Sequence, residues 1–138
     1  MESLPRTTLS QYLERQPDVV MAFLFGSHAR GQAHAQSDVD LAVYFDPLPD
    51  HRRLHEVWDE LERISQRDVD LVVLNDARPS IADTALRGER LVVKDERLWL
   101  KLMLAVSAEA EDFRQFVIDL WELRRRHRGD GSYVRSPR

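Results

Sequence analysis

The sequence predicts an α/β (α+β) fold: a small mixed β-sheet with packed helices and a C-terminal helical extension. Three observations carry that expectation. Residues 19–25, 38–45 and 68–74 are mostly apolar, of strand length and rich in β-branched or aromatic side chains. The segment between the second and third places Leu54, Val57, Leu61 and Ile64 at intervals of three and four, as one face of a helix requires. From about Glu96 to Arg126, Leu98, Leu102, Val106, Phe113, Phe116, Val117, Leu120 and Trp121 keep a helical rhythm.

In chain order, Leu9, Tyr12 and Leu13 predict a short first helix, with Thr7 and Thr8 as N-cap candidates and Pro17 beyond its end. Val19 to Phe25 is a continuous apolar run ending at Gly26, suited to a strand covered on both faces. Ser27 to Gly31 predicts a short helical turn closed by glycine, followed by a polar loop, residues 32–37. Asp38 to Phe45 is the second strand, broken by Pro47 and Pro49. A helix over His51 to Gln66 precedes the third strand, Asp68 to Leu74, which ends at the turn-prone Asn75-Asp76. Pro79 to Arg87 predicts a short helix capped by Gly88, and Leu91 to Val93 a brief edge strand. The domain expectation is a core over 1–95, a helical extension over 96–128 packed on it, as one long helix or a helix pair, and a flexible tail over 129–138.

Bulk properties narrow the function classes. A chain of 138 residues is the usual size of one domain. With 43% hydrophobic and 32% charged residues it has an ordinary globular balance, so intrinsic disorder is excluded. Lys and Arg number 20 against 24 Asp and Glu, a net charge of −4 that argues against dedicated DNA binding. Absence of cysteine removes disulfides, thiolate metal sites and cysteine nucleophiles. No apolar run approaches a membrane span and the opening residues lack a signal-peptide pattern, so a cytoplasmic protein without a membrane partner is expected.

The chemistry concentrates in three short segments. Side chains alternate along a strand, so Asp38 and Asp40 share a face with Cα atoms about 6.5 Å apart. Two such carboxylates repel unless a cation lies between them, and an oxygen-only donor set suits a hard divalent ion, Mg²⁺ or Mn²⁺. Asp70, in a second Asp-x-Asp, completes a three-carboxylate cluster if the second and third strands are neighbours. That set suits two-metal nucleotidyl transfer, with Asp38 and Asp40 bridging both ions and Asp70 holding the one that activates the attacking hydroxyl. Asp68 opens its strand and is expected to be solvated or capping. Gly26-Ser27, where a strand gives way to a helical turn, offers backbone N–H groups and a dipole end to a triphosphate, with the Ser27 hydroxyl and Arg30 in reach. His28 and His34 are expected in a solvated loop. Arg124 to Arg128 form a basic cluster that a helix C-terminus favours, with RNA or an acidic protein surface as its functional use.

Gly26-Ser27, ten residues, then Asp38-Val39-Asp40 resembles the signature of the polymerase β type nucleotidyltransferases. The fuller strings Phe25-Gly26-Ser27-His28-Ala29-Arg30-Gly31 and Ser37-Asp38-Val39-Asp40-Leu41-Ala42-Val43 are similar to the minimal nucleotidyltransferases, or MNT proteins. The resemblance covers about Val19 to Lys94, and Val69-Asp70-Leu71 matches the family's third carboxylate. It implies catalytic and metal roles for Asp38, Asp40 and Asp70, and nucleotide binding by Gly26, Ser27, Arg30 and Ser37. It further implies ATP as substrate, two Mg²⁺ ions with Mn²⁺ as a substitute, and an antitoxin of a type VII-like pair. The partner would be a HEPN RNase toxin held in a hetero-oligomer and inactivated by AMP placed on its tyrosine. Two alternatives stay open: neutralisation by binding alone with a vestigial site, and transfer to a small molecule such as an aminoglycoside.

Overall fold

The computed structural model describes residues 3–31, 33, 38–108, 117–120 and 122. Helix α1 spans Arg6–Glu14, strand β1 Val19–Phe25, β2 Val39–Phe45, helix α2 His51–Ser65, β3 Val69–Val73, helix α3 Pro79–Leu86, β4 Glu89–Val93 and helix α4 Glu96–Ala108. The four strands form one mixed sheet in the order β3-β2-β1-β4. β1 runs antiparallel to both β2 and β4, whereas β2 and β3 are parallel and joined through α2. That crossover is what a parallel pair requires.

Alternating side chains give the sheet two apolar faces. Val39, Leu41, Val43 and Phe45 of β2, with Val69, Leu71 and Val73 of β3, pack with Leu9 and Leu13 of α1 and Leu54, Val57 and Leu61 of α2. Ala42, Tyr44 and Val72 on the other face pack with Ala82, Ala85 and Leu86 of α3 and Leu98, Leu102 and Val106 of α4. Each fully buried Leu, Val or Phe contributes about 1.5–3 kcal/mol, so these two layers supply most of the driving force for folding. A register shift between Val19 and Met21 places Val20 and Met21 both against the second core.

Several polar contacts fix how the helices sit. Asp50 caps α2, its carboxylate accepting from the Arg53 N–H at 2.8 Å. The Arg53 guanidinium then grips both Asp18 oxygens at 2.9 Å and Gln16 Oε1 at 2.9 Å, tying α2 to the chain entering β1. Trp58 Nε1 donates to the Val69 carbonyl at 2.8 Å, and Val69 N–H donates to Glu62 Oε2 at 2.9 Å, so α2 holds the start of β3 through both main-chain groups of Val69. Beyond β3, in the 3₁₀ turn Leu74–Asp76, the buried Asn75 amide donates to the Phe45 carbonyl at 2.8 Å and accepts the Phe45 N–H at 3.0 Å. Asn75 thereby substitutes for a missing strand neighbour at the end of β2.

Some boundaries differ from expectation. α1 begins at Arg6 with Pro5 in the N-cap position and no side-chain cap; Thr7 and Thr8 lie inside its first turn. β2 starts at Val39, leaving Asp38 outside the strand, and β4 begins two residues earlier than its apolar triplet. Gly88 does not cap α3 through a left-handed backbone. A Cβ there would stand 2.5 Å from the Leu24 carbonyl oxygen, so close strand approach is what demands glycine. The C-terminal segment contributes α4, and helical residues 117–120 follow with Val117 in the second core. Residues 109–116, the Arg124 to Arg128 cluster and the tail 129–138 lie outside the described residues.

Replacing Asn75 by Ala is expected to leave both main-chain groups of Phe45 buried without their partner, costing about 2–4 kcal/mol in urea unfolding. A loss below about 0.5 kcal/mol would show that those groups are satisfied otherwise.

Candidate active site

The parallel register of β2 and β3 pairs Asp40 directly with Asp70. Their Cα atoms are therefore neighbours across the sheet, where strands lie about 4.8 Å apart. Both project on the face of Ala42, Tyr44 and Val72, one step beyond the last apolar layer, so the second core ends in two carboxylates. Asp38 immediately precedes β2 and is exposed, as is Asp70, whereas Asp40 is half-buried. Among the described residues no three acidic or histidine side chains close around a common metal-sized space. The three aspartates share one end of the sheet and interact through their charges. Asp68 is exposed, and its carbonyl accepts the Val39 N–H at 2.9 Å, opening the β2–β3 ladder through the main chain.

Electrostatics set Asp40 apart. Its carboxyl is raised above the ordinary 3.8, first by burial and then by the charges of Asp70 and Asp38, with His28 and Arg30 opposing the shift. A half-buried carboxylate facing two like charges is the environment that a divalent cation relieves. The donor set, all carboxylate oxygens, fits Mg²⁺ or Mn²⁺ rather than a softer metal.

Gly26 follows β1 with φ +75°, in the left-handed region. A Cβ at this position would overlap Asp40 Oδ2 and stand 3.0 Å from its Cγ. Glycine is thus required twice, by the backbone and by the carboxylate against it. Ser27 is half-buried at the same strand end, and Arg30 is exposed within electrostatic reach of Asp40. The segment from Gly26 to Gly31 is a run of turns, not a helix: Arg30 N–H donates to the Gly26 carbonyl at 3.2 Å and Gly31 N–H to that of His28 at 3.4 Å. The helix dipole expected at Ser27 is therefore absent, and any anion there depends on local N–H groups. His28 corrects another expectation, since it is 7% exposed rather than solvated. No periodic signal in so short a turn marks its side chain as inward. Ser37 and His34 lie outside the described residues.

The aspartate end of the sheet is distinct from a cavity of about 400 Å³ lined by Gln16, Pro17, Asp18, Pro47 and Arg53. That cavity sits where β1 begins and β2 ends, and its Arg53 and Asp18 already bond each other.

A family model described as polymerase beta, nucleotidyltransferase, matches residues 7–97. A protein adenylyltransferase MntA of Thermococcus cleftensis is 39% identical over 64 residues, which cover 46% of this chain and 65% of the relative. The chain thus spans just under two thirds of that relative's length. A structure of a toxin–antitoxin with AMP-PNP superimposes with a TM-score of 0.58 at 23% identity, over 89% of this chain and 92% of the other. A tri-AMPylated Shewanella oneidensis HEPN toxin in complex with MNT antitoxin gives a TM-score of 0.53 at 20% identity over 90% of each chain. At these identities the structures show a shared fold.

Two outcomes follow from the geometry. Because folding raises the Asp40 pKa, the native state binds the proton more tightly, and stability falls as pH rises through the window just above 3.8. In EDTA, Asp40→Asn is accordingly expected to melt above wild type at pH 7, with the gap closing below that window; a lower melting temperature at pH 7 would contradict it. Gly26→Ala is expected to cost at least about 1 kcal/mol for backbone alone. Adding Asp40→Ala should return part of the loss, and strict additivity in the double-mutant cycle would show that no overlap exists.

Proposed function

The chain belongs to the polymerase β nucleotidyltransferase family, and from that premise we propose that it transfers AMP from ATP, with Mg²⁺, to a tyrosine hydroxyl of a HEPN-type RNase toxin, acting as that toxin's antitoxin. The observation that carries this reading is the in-register pairing of Asp40 with Asp70 beside the side-chain-free Gly26. Support for a protein acceptor comes from the similarity to the protein adenylyltransferase MntA of Thermococcus cleftensis. Support for the partner comes from the AMP-PNP and the tri-AMPylated HEPN toxin in complexes whose antitoxin shares this fold.

The residues divide the work. Gly26 and Ser27 receive the triphosphate, Gly26 by letting phosphate approach the main chain and Ser27 through its hydroxyl. Arg30 contacts a phosphate oxygen, and Ser37 belongs to the same nucleotide-binding set. Asp38, Asp40 and Asp70 would hold Mg²⁺, two ions in this reading, with Mn²⁺ able to substitute; the metal supplies positive charge against the charge that develops at phosphorus. The acceptor hydroxyl oxygen bonds to the α-phosphorus, the bond from that phosphorus to the pyrophosphate oxygen breaks, and the hydroxyl proton passes to Asp70. The acceptor leaves carrying AMP, and pyrophosphate carries away the remaining phosphates. Positioning and charge stabilisation account for most of the rate in such transfers.

Residues 1–95 form the transferase unit in this reading, and the helical extension 96–128 carries the toxin contact in a hetero-oligomer. Leu100 and Leu104, 51% and 62% exposed one turn apart on α4, suit that contact. No helix among the described residues is long and apolar enough to cross a membrane; the proposed site of action is the cytoplasm.

Incubation with labelled ATP, Mg²⁺ and a HEPN-type RNase toxin, read by intact mass, is expected to shift the toxin by whole AMP units. The pair Asp38→Ala with Asp40→Ala should lower transfer at least about 100-fold while partner binding persists. Neutralisation that survives this pair without any mass shift would establish masking instead. Label on a small molecule with none on protein would establish the aminoglycoside type of acceptor.

A further inference from the structure

Arg6 is an unusual first residue for a helix, since a cation there opposes the positive end of the helix dipole. Its guanidinium turns away from α1 and binds two distant partners. Nε donates to both carboxylate oxygens of Glu89 at 3.0 Å, and Nη2 donates to the main-chain carbonyl of His28 at 2.9 Å. His28 stands in the middle of the Gly26 to Gly31 turn with its side chain buried, and its carbonyl also accepts the Gly31 N–H. Glu89 is paired with Leu24 in the β1–β4 register, level with the end of the strand that delivers Gly26.

We infer that Arg6 and Glu89 form a positioning clasp that holds the Gly26 to Gly31 turn against Asp40, and so set the nucleotide seat from the far side of the turn. This inference rests on the nucleotidyltransferase reading of that turn. One planar fork serves both partners: the carboxylate orients the guanidinium, and the remaining N–H reaches the turn. The side chains are 39% and 36% exposed, and an ion pair that open contributes little to global stability. Its consequence is local. The turn is not itself helical, and of the main-chain bonds that close it among the described residues one is 3.4 Å long. A small displacement of Gly26 or Ser27 loosens the phosphate seat in the ground state and the transition state alike, and binding lost uniformly in this way raises KM. The alternative, that Arg6 is itself a phosphate-binding cation, conflicts with Glu89 already engaging its Nε.

The test compares wild type with Arg6→Ala, Arg6→Lys and Glu89→Gln by melting temperature, by amide hydrogen exchange of residues 26–31, and by the KM and kcat for ATP in transfer to the toxin. A clasp is expected to leave melting within a few degrees in all three, to speed exchange across the turn, and to raise KM roughly tenfold with little change in kcat, as lost uniform binding does. Lysine should not rescue, because a point charge cannot hold both partners. Glu89→Gln should also weaken ATP, whereas a direct phosphate cation would bind ATP more tightly once freed of its carboxylate. Unchanged exchange and KM in Arg6→Ala, rescue by lysine, or tighter ATP in Glu89→Gln would each overturn the clasp. Should wild type transfer no AMP at all, the functional reading falls, and the exchange rates alone still decide whether the clasp holds the turn.

Discussion

The pairing of Asp40 with Asp70 across two parallel strands is the constraint on which the candidate site depends. Parallel strands in this register place the two residues side by side on one face of the sheet without any loop to position them. The arrangement is electrostatically unfavourable in isolation: burial first, and then the charges of Asp70 and Asp38, raise the Asp40 pKa. Stability is given up at one end of the sheet for a charge density that a divalent cation can use. Gly26 belongs to the same constraint, because the antiparallel neighbour β1 ends opposite Asp40 and only a residue without Cβ can continue the chain there.

The rest of the fold holds that register. α2 brackets the start of β3 through Trp58 and Glu62, one residue before Asp70, and is itself anchored to the start of β1 by Arg53 and Asp18. At the opposite end of β2, Asn75 pairs with both main-chain groups of Phe45. A slip of β3 by one residue would send Asp70 to the α2 face and a valine or leucine to the cluster. The polar clamps at both ends of the β2–β3 pair, together with two apolar faces, oppose that slip. Strands therefore carry Asp40 and Asp70, while the turn from Gly26 to Gly31, the proposed phosphate seat, is contacted by Arg6 through the His28 carbonyl.

Much of this was legible in the sequence because local patterns decide it. The apolar runs gave β1, β2 and β3 to within one residue, and the spacing of Leu54, Val57 and Leu61 gave α2 to within one. Spacing on the strands also singled out Asp38, Asp40 and Asp70 as residues that could meet. What local pattern could not supply was partnership across the chain. The pairing of β4 with β1, the parallel register and the reach of Arg6 to residues 22 and 83 positions away are tertiary facts. Ser27 to Arg30 looked helical because their residues tolerate a helix, but Gly31 ends the segment before a helix can propagate beyond its first turn. Thr7 and Thr8 were plausible caps on composition, yet Pro5 already has the fixed φ that suits a helix start, so α1 begins ahead of both. Gly88 shows a glycine whose cause is the Leu24 carbonyl, a neighbour invisible to any window of sequence.

We propose that Asp40 and Asp70 together make a divalent-cation site that a nucleotide completes. Electron paramagnetic resonance of Mn²⁺, titrated into the protein with a non-hydrolysable ATP analogue, tests it most directly. The expected result is nucleotide-dependent loss of the free Mn²⁺ signal in wild type, abolished by Asp40→Asn and strongly weakened by Asp70→Asn. Equal Mn²⁺ uptake by wild type and both variants would contradict the account.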